Sequence, residues 1–253
     1  TNTLAGIMVK DGKWDINQPV NIPEWQTDER KNITINDLMQ MQSGLRWNED
    51  YGNRSDVTQM LYCEGDFAKF TFDQPSAFPA GSHWYYSSGS VNLVNYLMRK
   101  TIGNDNEYYS FAQNKLFSKI GIPYAVFEVD ASGTQVGSSY IYSTARDYAR
   151  FGMLYLQDGV FNGERILPEG WVKYTTTTAS DSNGEYGSLF WLNASKYYPA
   201  APEDMYSCNG HDGQQIFIIP SKELIIVLVG YSPKPDRMMK FNELLGDVLS
   251  VIH

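Results

Sequence analysis

Residues 207–230 read SCNGHDGQQIFIIPSKELIIVLVG, a small polar motif, His211-Asp212-Gly213, followed by two apolar runs. The runs Gln214 to Ile219 and Leu224 to Val229 are rich in β-branched residues and flank Pro220-Ser221-Lys222-Glu223, which is turn chemistry. A buried antiparallel hairpin is therefore predicted. Leu224 to Val229 has no polar alternation, so this second strand is expected to be covered on both faces and to be the better buried of the two. The His-Asp-Gly triplet at the mouth of the hairpin allows two readings. Either it lines a cleft, or Gly210 and Gly213 bracket a tight turn that carries a surface histidine.

Around the hairpin, Tyr186 to Leu192 is an aromatic strand expected to neighbour it, and Arg237 to Ile252 is a final amphipathic helix. Upstream, the chain is mostly helical in pattern. Thr1 to Val9 reads as the end of a helix that begins before Thr1, with Leu4, Ile7 and Met8 on one face and Asp11-Gly12 ending it. Thr34 and Asp37 form a capping box for a short helix expected to close at Gly44, and Asp56 to Leu61 and Asp66 to Phe70 are short helical pieces. Val91, Val94, Leu97 and Met98 recur at helical spacing up to Gly103, directly after the loop His83-Trp84-Tyr85-Tyr86-Ser87-Ser88. Further helices are predicted from Glu107 to Lys119, from Thr144 (boxed with Asp147) to Gly159, and from Pro168, with a turn-rich ribbon at Val160 to Ile166. Gly152 inside the second of these implies close packing. Helices first and antiparallel strands later make an α+β arrangement, an antiparallel sheet covered by helices beside a mostly helical region.

The 253 residues fit one large domain or a domain with an insertion, and 18 Tyr, 12 Phe and 6 Trp against 19% charged residues describe a globular chain. A net charge of -9 without any Lys/Arg cluster argues against nucleic acid and favours small-molecule or peptide chemistry. No apolar run of about eighteen residues is present to form a spanning helix. Cys63 and Cys208 read as independent core thiols more readily than as a disulfide. The histidines, His83, His211 and His253, show no metal-ligand spacing with Cys or carboxylates, and no phosphate-cradling glycine motif occurs. What is left for chemistry is Tyr86-Ser87-Ser88 and His211-Asp212-Gly213. A tyrosine near a cation can act as a general base, and a strand-edge N–H can stabilise an oxyanion. The plain alternatives are core aromatics at Tyr85 and Tyr86 and a helix N-cap at Ser88.

Taken in order, a Tyr-x-polar loop at a helix start and, far downstream, a basic-x-Gly triplet opening a strand resemble the penicillin-recognising serine hydrolases. These include class C β-lactamases, DD-peptidases and related esterases; the chain looks nearest the 6-aminohexanoate-dimer (nylon-oligomer) hydrolase and esterase branch. The resemblance spans nearly the whole chain: GIMVKDGK from Gly6, TINDLMQMQSG from Thr34, GSHWYYSSGSVNLV from Gly81, TARDYARFG from Thr144 and GHDGQ from Gly210. It implies a β-lactamase/transpeptidase-like fold and an acyl-enzyme mechanism on small-molecule ester, amide or peptide-like substrates, with no metal or organic cofactor. By the same resemblance Tyr86 fills the tyrosine of the Tyr-x-Asn motif and faces the cleft in place of Tyr85. Ser88 stands for the asparagine, His211-Asp212-Gly213 stands for Lys-Thr-Gly, and the Gln214 N–H is an oxyanion donor. Both departures weigh against an efficient β-lactamase and towards esters or amides.

The family nucleophile is the serine of Ser-x-x-Lys, with the lysine one turn along the same helix face. None of the twelve lysines, Lys234 included, has Ser or Thr three residues before it. The motif is therefore expected just upstream of Thr1. On this reading residues 1–30 are the remnant of the nucleophile helix and its loop, residues 31–180 a mostly helical region carrying the tyrosine loop, and residues 181–253 the sheet strands and last helix. All three belong to one catalytic unit whose partner is the missing N-terminal segment of the same protein. The other reading is a non-catalytic, ligand-binding relative that has lost its nucleophile.

Overall fold

A computed structural model describes residues 1–232 and 236–252, so Lys234 and His253 lie outside the described residues. The first helix, α1 (Asn2–Lys10), is buried from Asn2 to Met8, which makes it an interior element with no broad solvent face. Helix α2 (Ile35–Met39) starts at the expected capping box, Thr34 accepting from Asp37 N–H at 3.0 Å and Asp37 accepting from Thr34 N–H at 2.8 Å. It stops well before Gly44. The chain reverses at Met41, which takes φ 60°, and Gln42 N–H closes back on Asp37 C=O at 2.7 Å. Gly44 serves a different purpose: it has φ 71°, and a Cβ there would lie 2.1 Å from Phe78 O.

Helices α3 (Asp56–Cys63) and α4 (Phe67–Phe72) follow, capped by Ser55 and Asp66. Helix α5 (Ser88–Ile102) ends at Gly103 with φ 74°, the left-handed stop its sequence announces. Helix α6 (Asp105–Ala112) widens into a π turn at Gln113–Phe117, so the predicted single helix has two windings. A small ribbon, β1 (Val126–Phe127) with β2 (Ile141–Tyr142), was not foreseen. Helix α7 (Ala145–Leu156), capped by Thr144, leads to a second ribbon, β3 (Val160–Phe161) with β4 (Glu164–Arg165). Helix α8 (Trp171–Thr175) begins after Pro168, because Pro168 C=O is used in a turn that accepts Trp171 N–H and Gly170 forms the N-cap at φ 77°.

The main sheet runs β5 (Trp191–Leu192), β6 (Tyr206–Asn209), β7 (Gln215–Ile219) and β8 (Leu224–Leu228) in that spatial order, all antiparallel. The aromatic strand thus pairs with β6, which separates it from the hairpin. The burial expectation is reversed. β7 is buried at all five residues and β8 is half-buried at all five, because β7 lies between two strands while β8 is outermost among the described residues. Ile216 and Ile218 of β7 enter a large core with α1 and α7, whereas Phe217 and Ile219 enter a second one. There they meet Phe241 and Leu245 of the last helix, α9 (Arg237–Val251). Gly152 of α7 lies against the sheet, where an added Cβ would come within 3.0 Å of Ile225 Cγ2. Both cysteines are free, and Cys63 is exposed at the end of α3 rather than in a core.

Candidate active site

The tyrosine loop reaches α5 through a backbone bond from Tyr85 N–H to Met41 C=O at 2.9 Å, so the left-handed turn at Met41 sets where the loop lies. From there side chains alternate. Tyr85 is 46% exposed, while Tyr86 stacks on Trp191 at 5.2 Å and meets the edge of Tyr186 at 5.8 Å. Ser87, not Ser88, caps the helix, its hydroxyl accepting Ser90 N–H at 3.1 Å. Ser88 is left free to use its side chain elsewhere.

It uses it on Glu49. Ser88 donates its N–H to Glu49 Oε2 at 2.9 Å and its hydroxyl to Oε1 at 2.5 Å. Trp47 Nε1–H donates to Oε2 at 2.5 Å, and the Tyr51 hydroxyl donates to Oε1 at 3.4 Å. Burial raises the Glu49 pKa above the ordinary glutamate range, against the pull of these donors in the other direction. The neighbouring Tyr86 phenol is pushed up as well, first by burial and then by the negative charge of Glu49. Within this chain the named influences on Tyr86 all favour the neutral phenol.

On the opposite wall, His211-Asp212-Gly213 forms a single tight turn between β6 and β7. Asp212 and Gly213 take φ 55° and 91°, and Gly210 N–H bonds Gln214 C=O at 2.7 Å. Glycine is required at 213, since a Cβ would meet Ser232 Cβ at 2.7 Å and Phe241 Cζ at 3.2 Å. Asp212 is tied to the start of α9 by Arg237 at 3.2 Å and lies 3.3 Å from His211 Nε2. Gln214 is exposed, and its N–H has no acceptor among the described residues. The His211 ring is also exposed, and its face packs against Tyr51 with centroids 5.1 Å apart.

Ser88 and His211 are therefore joined through Glu49 and Tyr51, with Tyr86 on the same side as Glu49 and with Gly213 and Gln214 continuing from His211. Glu49 and Tyr51 are not among the residues that the sequence singles out. The one available signal was a lone aromatic among acids and glycine. A recess of about 290 Å³ lies on the other side of the tyrosine loop, lined by Tyr85, Ser87, His83, Trp47, Arg46 and Phe78. Neither His211 nor Ser88 is among its lining residues, so the Ser88–Glu49–Tyr51–His211 chain is taken as the candidate site.

Comparison with known proteins bears on what such a site belongs to. A family model described as Beta-lactamase matches residues 1–247. The chain belongs to the beta-lactamase family. This family member is 24% identical over 261 residues to the 6-aminohexanoate-dimer hydrolase of Paenarthrobacter ureafaciens, an alignment covering 92% of the chain and 64% of that protein. It thus spans less than two thirds of that relative's length. Its fold is similar to that of a provisionally named 6-aminohexanoate-dimer hydrolase from Bacillus anthracis, with TM-score 0.81 at 19% identity over 98% of this chain and 70% of the other. A provisionally named beta-lactamase from Bacteroides dorei matches with TM-score 0.74 at 15% identity, over 99% and 82%. The antiparallel sheet with its helical surround is thus the beta-lactamase/transpeptidase fold.

Proposed function

We propose that the whole protein is a serine hydrolase that cleaves amide or ester bonds of small molecules through an acyl-enzyme, with the Ser-x-x-Lys nucleophile in a segment preceding Thr1. The observation that supports this most is the link from Ser88 at the head of α5 through Glu49 and Tyr51 to His211, beside a Gln214 N–H that has no acceptor among the described residues. In this reading the serine hydroxyl passes its proton to the lysine of the same motif as its oxygen bonds to the carbonyl carbon, and the carbonyl oxygen takes up the charge. The Gln214 N–H donates to that oxyanion, a contribution worth about 3–4 kcal/mol in related chemistry. The neutral Tyr86 phenol is suited to give a proton to the leaving nitrogen or oxygen. It becomes the base for the serine only if the lysine of the nucleophile motif is brought beside it. His211 borders the cleft where substrate enters, and its exposure and the Asp212 carboxylate behind it suit a polar substrate group.

The second reading is a ligand-binding relative without a nucleophile. One experiment separates the two. The 253-residue chain and a longer form carrying the natural preceding segment are assayed with p-nitrophenyl butyrate and nitrocefin and titrated with a fluorophosphonate probe. The hydrolase reading expects ester turnover and one labelled serine in the longer form, and neither in the shorter one. Stoichiometric labelling of the short chain would place the nucleophile elsewhere, and an unlabelled, inactive longer form would leave the binding reading.

A further inference from the structure

Glu49 has no part in the acyl-transfer steps above, and yet it is the most heavily hydrogen-bonded carboxylate of the site. A glutamate carboxylate has about four lone-pair positions. Here they meet four donors: Ser88 N–H, Ser88 hydroxyl, Trp47 Nε1–H and Tyr51 hydroxyl. No acceptor capacity remains for a substrate. These charge-assisted hydrogen bonds act against the burial that raises the Glu49 pKa, and their geometry fixes both carboxylate oxygens in place. The location is also electrostatically apt, because Ser88 opens α5 and the head of a 15-residue helix favours a negative charge.

What the four bonds join is informative. Trp47 and Tyr51 flank Glu49 on one loop, Ser88 belongs to α5, and the ring of Tyr51 rests on His211 from the far wall. Asn48 N–H is in turn fixed by Asp56 of α3 at 2.8 Å, and the Asp50 and Gly52 backbone amides are held by side chains within the loop. The loop is thus tied at both ends of its reach. We propose that Glu49 is a positioning residue that locks the head of α5 and, through Tyr51 used as a spacer, sets the separation between the Tyr86–Ser88 wall and the His211–Gln214 wall. The proposal rests on the hydrolase reading only for the purpose the separation serves; the coupling itself belongs to the folded chain. It also assigns Ser88 a role. Its hydroxyl is committed to Glu49 and is not a substrate contact.

The coupling is tested first on the 253-residue chain by NMR, following the Trp47 indole N–H, the Ser88 amide and the His211 ring. Glu49→Gln is expected to shift all three, the indole proton upfield as it loses a charged acceptor and the His211 ring as the stacked Tyr51 loosens. Tyr51→Leu is expected to shift His211 and leave the Trp47 indole and Ser88 amide near their parent positions. Should Glu49→Gln not fold, Tyr51→Phe takes its place, since losing only the hydroxyl is expected to shift the His211 ring too. An unmoved His211 ring in the folded Glu49→Gln chain, or in the Tyr51→Leu chain, overturns the proposal. In a form of the protein that hydrolyses p-nitrophenyl butyrate, Glu49→Gln is expected to lower kcat by about 10- to 100-fold, the scale of a misplacement near 1 Å, with little change in KM. An unchanged kcat overturns the role in positioning. If no form of the protein hydrolyses the ester, the hydrolase reading fails while the NMR comparison still decides the coupling.

Discussion

Tyr86 holds its proton more tightly than a free tyrosine, because burial and the charge of Glu49 both oppose the phenolate. A group in that state acts by donating. In a catalytically competent form, Tyr86→Phe should lower kcat by about 10² to 10⁴, as expected of a general acid or base, and steady-state rates with p-nitrophenyl butyrate would measure it. Tyr85→Phe should leave the rate near the parent value, since Tyr85 faces solvent and the recess behind the loop. The opposite pattern would mean that the alignment of the motif is off by one residue. Asp147 shows the other sign of perturbation. The Thr144 hydroxyl first, then Arg150 and the Ser143 hydroxyl, hold its carboxyl below the usual aspartate range, against a smaller push upward from burial. A depressed folded-state pKa gives stability that is present above the unfolded value, about 3.9, and lost as pH falls through the folded value. Urea melts at pH 7 and pH 3 should therefore show Asp147→Asn less stable than the parent at pH 7, with the gap closing at pH 3. A gap of equal size at both pH values would show that the carboxylate charge is irrelevant.

At the scale of elements, the helix ends with local signals are those that the sequence announces. Thr34 with Asp37, Thr144, Gly103 and the periodicity of α9 were all legible, because caps and left-handed stops involve residues within one turn of each other. The α2 terminus and the start of α8 were misread, since each is set by a turn that competes with helix: the reversal at Met41 and the Pro168–Trp171 bond. Gly152 provides a quantitative test of how α7 lies on β7 and β8. Alanine in mid-helix gains about 0.5–1 kcal/mol over glycine, while overpacking a seam costs about 1–3 kcal/mol. With Ile225 Cγ2 at 3.0 Å and Ile216 Cγ2 at 3.4 Å from the added Cβ, the overpacking term should win. Gly152→Ala is expected to destabilise by about 1 kcal/mol in chemical denaturation, and a stabilised variant would show that half-buried β8 yields freely.

For the whole molecule, one buried amide ties together elements that are far apart in the chain. Asn2 of α1 donates to Ser188 C=O at 2.7 Å and to Thr175 of α8 at 3.2 Å. It accepts from Tyr155 of α7 at 2.6 Å and from Trp171 of α8 at 2.9 Å. Asn2→Ala would leave the Trp171 N–H and Ser188 C=O without these partners in a dry interior, at about 1–3 kcal/mol for each unsatisfied group. For a chain of this size a loss of about 3 kcal/mol corresponds to a Tm lowered by roughly 6–12 °C, readable by calorimetry. A change near zero would mean that the network is dispensable or is repaired by water. The sequence by itself determined the α+β class, most helix starts, the β7–β8 hairpin and the two motifs of the resemblance, all carried by periodicity, caps or short runs of residues. It could not say that β7 and not β8 is the inner strand, because the burial of a strand depends on which neighbours it acquires across the sheet. Nor could it place Glu49 and Tyr51 between Ser88 and His211: their function comes from contacts among segments far apart in the chain, and such contacts leave no period, cap or turn signature in the residues that make them.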